Sequence, residues 1–279
     1  MFPLEEKITN CTCAGYRQQH PHTILYNILS WRDSNYLDNN KLNHNASAHN
    51  CHCEQRRAVC LKNPKATCQV ASSVLVKTVR FMRSVPSFGQ LPSGDQFSLL
   101  RDCWVPLFVL GLAQEKMVFE VTDVPDSSML RQILLGQGRT EKEAQERRSQ
   151  PTLARVHRLK TCLHQLWNLD LSPKEYAYLK GAVLFNPDVQ GLSALLFIEG
   201  LQREAQRALQ EVVLLLHPED TARFSRILLA ASAVQTISQH LVTELFFKPV
   251  IGDADLFDLL REMLFSTGLY PQSEKSSCI

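Results

Sequence analysis

From about Thr67 to residue 265, apolar residues recur at helical spacing with few interruptions. Residues at i, i+3, i+4 and i+7 share one face of a helix, so this spacing predicts amphipathic helices that bury their apolar sides against one another. An alternating stretch at 117–121 predicts one short strand. The chain is therefore expected to form one all-α domain of layered helices. The predicted helices lie at about 67–85, 95–115, 126–136, 151–168, 173–185, 189–216, 219–247 and 254–265.

The longest predicted helix, 219–247, carries one continuous apolar face. Such a face packs inside the domain or pairs with another chain, so a homodimer or heterodimer through this helix is an open alternative. The residues of this face are Phe224, Ile227, Val234, Ile237, Leu241 and Leu245.

Residues 1–60 differ from the rest of the chain because they are rich in Asn, His, Gln and Cys and lack apolar periodicity. This composition predicts a flexible polar segment, followed by a folded domain at 61–267 and a flexible tail at 268–279. One apolar island interrupts the segment and predicts a short helix at 24–30. Its Leu25, Ile28 and Leu29 have the i, i+3, i+4 spacing that places three side chains on one face.

Charge and composition exclude several classes of protein. The chain has 30 Lys+Arg and 28 Asp+Glu, a net charge of +2, which argues against a dedicated nucleic-acid binder, since such proteins usually carry a concentrated basic excess. No uninterrupted apolar run approaches the roughly 20 residues that span a bilayer, and the first residues do not resemble a secretory signal. The nine cysteines are scattered, which favours a reducing compartment.

The cysteine pairs do not predict a metal site. Cys11 and Cys13, like Cys51 and Cys53, are separated by one residue, whereas the zinc modules of DNA-binding domains use pairs separated by two. A zinc site from Cys51, Cys53, Cys60 and Cys68, with His52 in reserve, is the alternative to scattered free thiols, which we favour. We expect no metal and no other cofactor.

Catalytic patterns are not found in the sequence. It contains no G-x-S-x-G, H-E-x-x-H, Walker or G-x-G-x-x-G motif. His157 and His164 lie near Cys162, but no acidic residue is placed to orient either imidazole. The chain is not expected to be an enzyme.

The segment from Phe81 to Trp104 is the most informative part of the sequence. It places Phe81, Arg83, Phe88, Leu91, Asp95-Gln96 and Leu99-Leu100 at fixed offsets. This pattern resembles the signature of nuclear receptor ligand-binding domains, and the likeness extends over roughly 67–267. The resemblance implies a layered antiparallel helical sandwich with one very short β-hairpin. The segments LSPKEYAYLKGAVLFNPDV and LFFKPVIGDADLFDLL are similar to the orphan receptors of subfamily 0 group B, which lack a DNA-binding domain.

This resemblance implies a transcriptional corepressor that acts through other proteins, without binding DNA or a membrane. The helix bearing Leu25, Ile28 and Leu29 would enter the coactivator groove of other nuclear receptors, such as the retinoid X, estrogen or liver receptor homologue types. The domain would recruit corepressor proteins and histone deacetylase complexes, in the nucleus and cytoplasm. Two other segments fit the leucine spacing, although we favour core packing for both. They contain Leu130, Ile133 and Leu134, and Leu159 and Leu163.

The same resemblance implies that the domain has its own groove for a partner helix. Arg83 at one end would meet the C-terminal carbonyls of the partner helix, and Glu262 at the other would meet its N-terminal amides. The remaining residues expected to line this groove are Val79, Gln96, Phe97, Leu100, Leu259 and Met263.

A domain that senses a small lipophile is the alternative function, since the receptor fold can enclose an apolar pocket. Many steroid receptors anchor the ligand with an Arg at the end of the helix that follows the signature. Glu115 stands at the matching position here and weakens the case for an acidic or phenolic ligand.

Overall fold

The computed structural model describes residues 57–123, 150–252 and 254–265. The chain divides into two compact units, Met1–Gln55 and Arg56–Ile279, and every described residue belongs to the second. The helices predicted at 24–30 and 126–136 and the tail at 268–279 lie outside the described residues.

Helices dominate the described part of the chain, as the apolar spacing predicted. The α-helices are α1 (Pro64–Ser84), α2 (Pro86–Gly89), α3 (Ser93–Gln114), α4 (Leu153–Leu169), α5 (Pro173–Leu184), α6 (Leu195–Leu216), α7 (Arg223–Gln235), α8 (Gln239–Val242), α9 (Lys248–Ile251) and α10 (Leu256–Phe265). The strands are β1 (Val59–Leu61) and β2 (Val121–Asp123), and a π-helical turn covers Thr243–Phe247.

Helix α3 lies at the centre of the layers. Every residue from Cys103 to Ala113 is buried, and α1, α4, α5 and α7 all pack against this helix. This arrangement confirms the layered helical sandwich. By length and apolar composition alone α3 could cross a membrane, but most of it is enclosed by the other helices, as in the core helix of a globular domain.

The two-stranded sheet differs from the predicted hairpin. β1 and β2 pair antiparallel, with Val59 opposite Asp123 and Leu61 opposite Val121, and α1 and α3 separate the two strands in the chain. The sheet is therefore a long-range pair without a connecting turn. The strand expected at 117–121 begins only at Val121. The amide of Met117 still bonds to the carbonyl oxygen of Leu112 in α3 at 3.0 Å, and the carbonyl oxygen of Glu120 accepts from the amide of Lys62, next to β1, at 2.9 Å.

The prediction of one continuous helix at 219–247 is wrong. This segment is divided into α7, α8, the π-helical turn and the adjoining α9. The Thr236 hydroxyl donates to the carbonyl oxygen of Ala233 at 2.7 Å, and the Ser238 hydroxyl accepts from the amide of Leu241 at 3.2 Å. Such local side-chain bonds end one helix and cap the next. The predicted apolar face nevertheless packs inward, since Ile227, Val234, Ile237, Leu241 and Leu245 are buried.

The helix predicted at 189–216 starts later, at Leu195. Gly191 has a φ of +79°, a left-handed conformation that glycine adopts readily and that does not continue a helix. The Asp95 carboxylate then accepts the amides of Ser193 and Ala194 at 2.8 and 2.7 Å. These two bonds satisfy amides just before the first turn of α6.

A buried ion pair joins α5 to α7. Ser172 and Glu175 form a capping box at the start of α5, and the Arg223 guanidinium donates to both carboxylate oxygens of Glu175 at 2.7 and 3.0 Å. Burial acts to raise the pKa of Glu175, but the bonds from Arg223 and Ser172 outweigh burial and hold that pKa below its ordinary value. The ionised carboxylate therefore stabilises the folded state fully at pH values above the ordinary Glu pKa of about 4.3. This stabilisation is lost as the pH falls through the lowered pKa of the folded state.

We expect Arg223→Ala to lower the free energy of unfolding by about 3–5 kcal/mol, because it leaves the Glu175 carboxylate buried without its cation. Urea denaturation at pH 7 measures the change. Arg226→Ala is the matched control, since Arg226 pairs with Asp220 at the surface and its loss should cost less than about 1 kcal/mol. Equal losses for the two variants would contradict the assigned role of the buried pair.

Candidate functional site

The residues predicted to line the groove lie where α1, the first turns of α3, and α10 meet. α10 packs against both α1 and α3. Val79 and Leu100 are 2% and 0% exposed, and Phe97 is half-buried. Val79 lines a pocket together with Met263 of α10, and Phe97 contacts α10 through its ring. The structure thus brings residues of all three predicted segments to one region.

Two contacts hold α10 on this surface. Near its start, the ring of Phe257 meets the ring of Phe97 edge-on, with centroids 5.1 Å apart. Near its end, the Arg83 guanidinium donates to the carbonyl oxygen of Met263 at 3.4 Å. Leu256, Leu260 and Leu264 recur every four residues along the buried side of the helix. α10 therefore extends from Phe97 towards Arg83 with its apolar face against the domain.

Arg83 contacts a helix end of the kind predicted for it. The last carbonyls of a helix have no partner within the helix and carry the negative end of its dipole, so a cation there is stabilising. Arg83 was expected to meet such carbonyls on a bound partner helix. Here the carbonyl belongs to Met263, in the last turn of α10.

The outer side of α10 carries Leu259 and Glu262, the two other residues of this helix that were predicted to line the groove. Leu259 is 38% exposed and Glu262 is exposed, whereas Leu256 and Leu260 are buried. Leu259 and Glu262 line a shallow depression that also contains Asp258, Arg261 and Phe265. Both residues thus lie on the solvent side of the helix.

Gln96 contacts the backbone of the loop that precedes α3. Its side-chain amide donates to the carbonyl oxygen of Leu91 at 2.8 Å and to that of Gly89 at 3.4 Å. The side chain thereby fixes the turn between α2 and α3. This turn sets where the first residues of α3, including Phe97, reach the surface.

A pocket of about 260 Å³ remains between α1 and the end of α10. Its walls are apolar at Val76, Val79 and Met263, and Arg80 and Arg83 lie at its edge. Val76 and Arg80 were not among the predicted residues. Their positions three residues before Val79 and Arg83 would have identified them, because these spacings place them on the same face of α1.

The predicted leucine motifs differ in where they lie. Leu25, Ile28 and Leu29, and likewise Leu130, Ile133 and Leu134, are outside the described residues. Leu159 and Leu163 are 0% and 1% exposed on α4, so they pack in the core, as the sequence favoured. A strict L-x-x-L-L spacing occurs twice in the chain, at 192–196 and 256–260, and a scan for that spacing alone would have found both.

Aromatic side chains fill the interior between α3 and the π-helical turn. Trp104 and Phe108 of α3 pack on Phe247, and Phe108 and Phe119 pack on Phe246, with ring centroids 5.2–6.3 Å apart. The indole N–H of Trp104 is buried and has no hydrogen-bond acceptor among the described residues. Glu115 faces the surface, where its carboxylate accepts from Lys77 at 2.7 Å.

The three buried thiols, Cys68, Cys103 and Cys162, lack the features of a nucleophile. Burial raises the pKa of Cys68 and Cys162, and burial together with nearby Asp102 raises the pKa of Cys103 to about 12. A thiol with a raised pKa is poorly nucleophilic because little of it is ionised at neutral pH. Among the described residues, no group of three or more His, Cys, Asp and Glu side chains is placed to hold a metal ion.

Comparisons with known proteins agree with the geometry. The family described as the ligand-binding domain of nuclear hormone receptor matches residues 61–251. The chain is 49% identical over 256 residues to nuclear receptor subfamily 0 group B member 2 of Homo sapiens, covering 91% of this chain and 96% of that protein. It is 47% identical to the same-named protein of Rattus norvegicus over the same shares of the two chains.

A third relative is more distant. Nuclear receptor subfamily 0 group B member 1 of Callithrix jacchus is 39% identical over 227 residues, which cover 76% of this chain and 48% of that protein. Both the family match and the coverage of the first two relatives span most of the sequence. The chain therefore belongs to the nuclear hormone receptors, in subfamily 0 group B, and is a regulator of transcription rather than an enzyme.

Proposed function

We propose that this chain is a transcriptional corepressor that binds other nuclear receptors and does not itself contact DNA. Its N-terminal helix would bind in the coactivator groove of receptors of the retinoid X, estrogen or liver receptor homologue type and so exclude their coactivators. Its domain would recruit corepressor proteins and histone deacetylase complexes. The similarity to the subfamily 0 group B relatives supports a corepressor-type role. The nucleus is the compartment that the family indicates, and we extend the proposal to the cytoplasm.

The contact between Arg83 and the Met263 carbonyl oxygen carries the proposal that the domain recruits a partner helix. This contact supports the view that the α1–α3 surface holds an amphipathic helix and caps its C-terminal end. A corepressor helix that presents the same chemistry would use the same floor, Val79, Phe97 and Leu100. Because α10 covers this surface, such a partner must displace α10 or bind at its edge.

Binding to partner receptors would use the helix predicted at 24–30. A seven-residue helix is marginal in water, so it would order on entering an apolar groove. Leu25, Ile28 and Leu29 would occupy the floor of the partner's groove, as expected of helix-in-groove recognition. Coactivators that use the same spacing would then be excluded by competition.

Sensing of a small lipophile is the second candidate, and one observation favours it. The fully buried N–H of Trp104, which has no acceptor among the described residues, could donate to a ligand acceptor. The rings of Phe108, Phe246 and Phe247 occupy the surrounding space, so a ligand would have to move them. The filled interior makes corepression without a ligand the function that we prefer.

We expect the double substitution Leu25→Ala/Leu29→Ala to weaken binding to a purified estrogen receptor ligand-binding domain by at least about a hundredfold. Each buried Leu contributes about 2 kcal/mol or more to such a contact. Titration calorimetry with the full chain measures the change. Leu37→Ala/Leu42→Ala is the control, because these two leucines lie outside the spacing. Unchanged affinity in the first variant would place the contact elsewhere in the chain.

We expect Arg83→Ala to weaken repression of a receptor-driven reporter gene to the level that competition with coactivators alone provides, while binding to the receptor through the N-terminal helix survives. The loss of the cation leaves the C-terminal carbonyls of a recruited helix without their cap. Arg203→Ala on α6 is the control, since Arg203 is exposed and pairs only locally with Glu199. Full repression by Arg83→Ala would identify a passive competitor that recruits no corepressor through this surface.

We expect Phe257→Ala to tighten binding of a corepressor helix to the domain by about threefold to tenfold. The edge-on contact with Phe97 is worth about 0.5–1.5 kcal/mol, and its loss favours release of α10 from the surface. Fluorescence anisotropy of a labelled corepressor peptide measures the affinity, with Phe265→Ala on the outer side of α10 as control. Weaker binding by Phe257→Ala would mean that α10 forms a wall of the groove and is not a competitor for it.

A further inference from the structure

Three large apolar side chains are exposed together at the start of α6. Leu195 is 44% exposed, Leu196 is 81% exposed and Phe197 is 47% exposed. Further along the same helix the surface is charged, with an ion pair between Glu199 and Arg203. Adjacent exposed apolar residues bordered by charge are typical of a contact surface.

Leu195 and Leu196 of this cluster, together with Leu192, form one of the two strict L-x-x-L-L spacings in the chain. In the other, at 256–260, the first and last leucines lie on the buried side of α10, against the domain. In the spacing at 192–196 the two adjacent leucines face solvent, and only Leu192 packs partly against the core. It is the motif whose two adjacent leucines a partner could reach without moving a helix.

The backbone around the motif is held by a single acidic side chain. The Asp95 carboxylate accepts the amides of Ser193 and Ala194, immediately before α6 begins at Leu195. If α6 were extended by one turn, Leu192 would join Leu195 and Leu196 on one face. Gly191, with its positive φ, precedes this turn and provides a hinge that accepts the change.

We propose that residues 192–196 form a further docking motif that enters the apolar groove of a partner nuclear receptor. This inference rests on the proposed function, because it assigns a second contact to the same class of partner. Such a groove offers an apolar floor, a carboxylate for the N-terminal amides of the guest helix and a cation for its C-terminal carbonyls. On docking, the amides of Ser193 and Ala194 would donate to the carboxylate of the partner groove instead of to Asp95.

The exchange of acceptors matches the chemistry of both partners. Two backbone amides exchange one carboxylate acceptor for another on docking, whereas the Asp95 carboxylate, 1% exposed here, loses these two donors and must gain water in their place. Leu195 and Leu196 lose exposed apolar surface, and Leu192 exchanges one apolar environment for another. The charged residues further along α6, including Glu199 and Arg203, would remain outside the groove.

The experiment uses the full chain in the Leu25→Ala/Leu29→Ala background, so that the N-terminal motif does not contribute. The probe is a fluorescein-labelled L-x-x-L-L coactivator peptide bound to a purified retinoid X receptor ligand-binding domain. We expect the background chain to displace this peptide, and Leu195→Ala/Leu196→Ala to reduce its apparent affinity by about tenfold or more. Leu229→Ala should leave the affinity unchanged. Leu229 is 70% exposed on α7, and Ser225 stands where a first leucine would be needed.

Several results would overturn the inference. Equal displacement by Leu195→Ala/Leu196→Ala and the background chain would do so, as would a background chain that displaces no peptide. If the chain with an intact N-terminal motif also fails to displace it, the proposed function fails as well. Sedimentation velocity that shows this patch holding two copies together, with peptide displacement unaffected, would assign it to self-association. Leu196→Glu provides a second variant if the double substitution does not fold.

Discussion

The close packing of α1 on the buried helix α3 is the constraint on which both candidate surfaces depend. A side chain at Gly111 would place its Cβ 2.7 Å from Cγ1 of Val74, so glycine allows the two helices to approach this closely. That approach fixes Val79 and Arg83 of α1 relative to Phe97 at the start of α3. The same end of α3 carries Asp95, which holds the backbone before α6. One core helix therefore positions the surface covered by α10 and the exposed leucines of α6.

α10 covers the α1–α3 surface because, as part of the same chain, it competes effectively with any free helix for that surface. α10 is joined to the domain by a short connection, so its effective concentration at the α1–α3 surface far exceeds that of a free helix. Its buried Leu256, Leu260 and Leu264 each contribute on the order of 1.5–3 kcal/mol when removed from water. A partner helix with similar leucines gains little over α10 unless it makes additional contacts. On the proposed function, selectivity for corepressors would come from those additional contacts and not from the leucines alone.

Apolar spacing predicted most helices because their packing is amphipathic and each buries one continuous face. The signature from Phe81 to Trp104 also indicated which residues of α1 and α3 would meet. The break between α7 and α8 could not be read from spacing, since the bonds of Thr236 and Ser238 are local and leave the apolar period intact. The pairing of β1 with β2 could not be predicted from spacing either, because it joins segments far apart in the chain. The position of α10 followed from the family resemblance, which placed Leu259, Glu262 and Met263 at the groove. The apolar spacing of α10 alone does not indicate which of several apolar surfaces it covers.

Leucine spacing by itself does not separate a docking motif from a core helix. Leu159 and Leu163 have the spacing and are buried. In the motif at 256–260, Leu256 and Leu260 are buried on the inner side of α10. What distinguishes 192–196 is the exposure of two leucines together with backbone amides that are already bonded to a carboxylate. The domain thus covers its own groove while it presents a leucine motif to solvent. On the proposed function, such a chain enters the grooves of other receptors more readily than it receives a helix in its own, and recruitment of a corepressor then requires α10 to move.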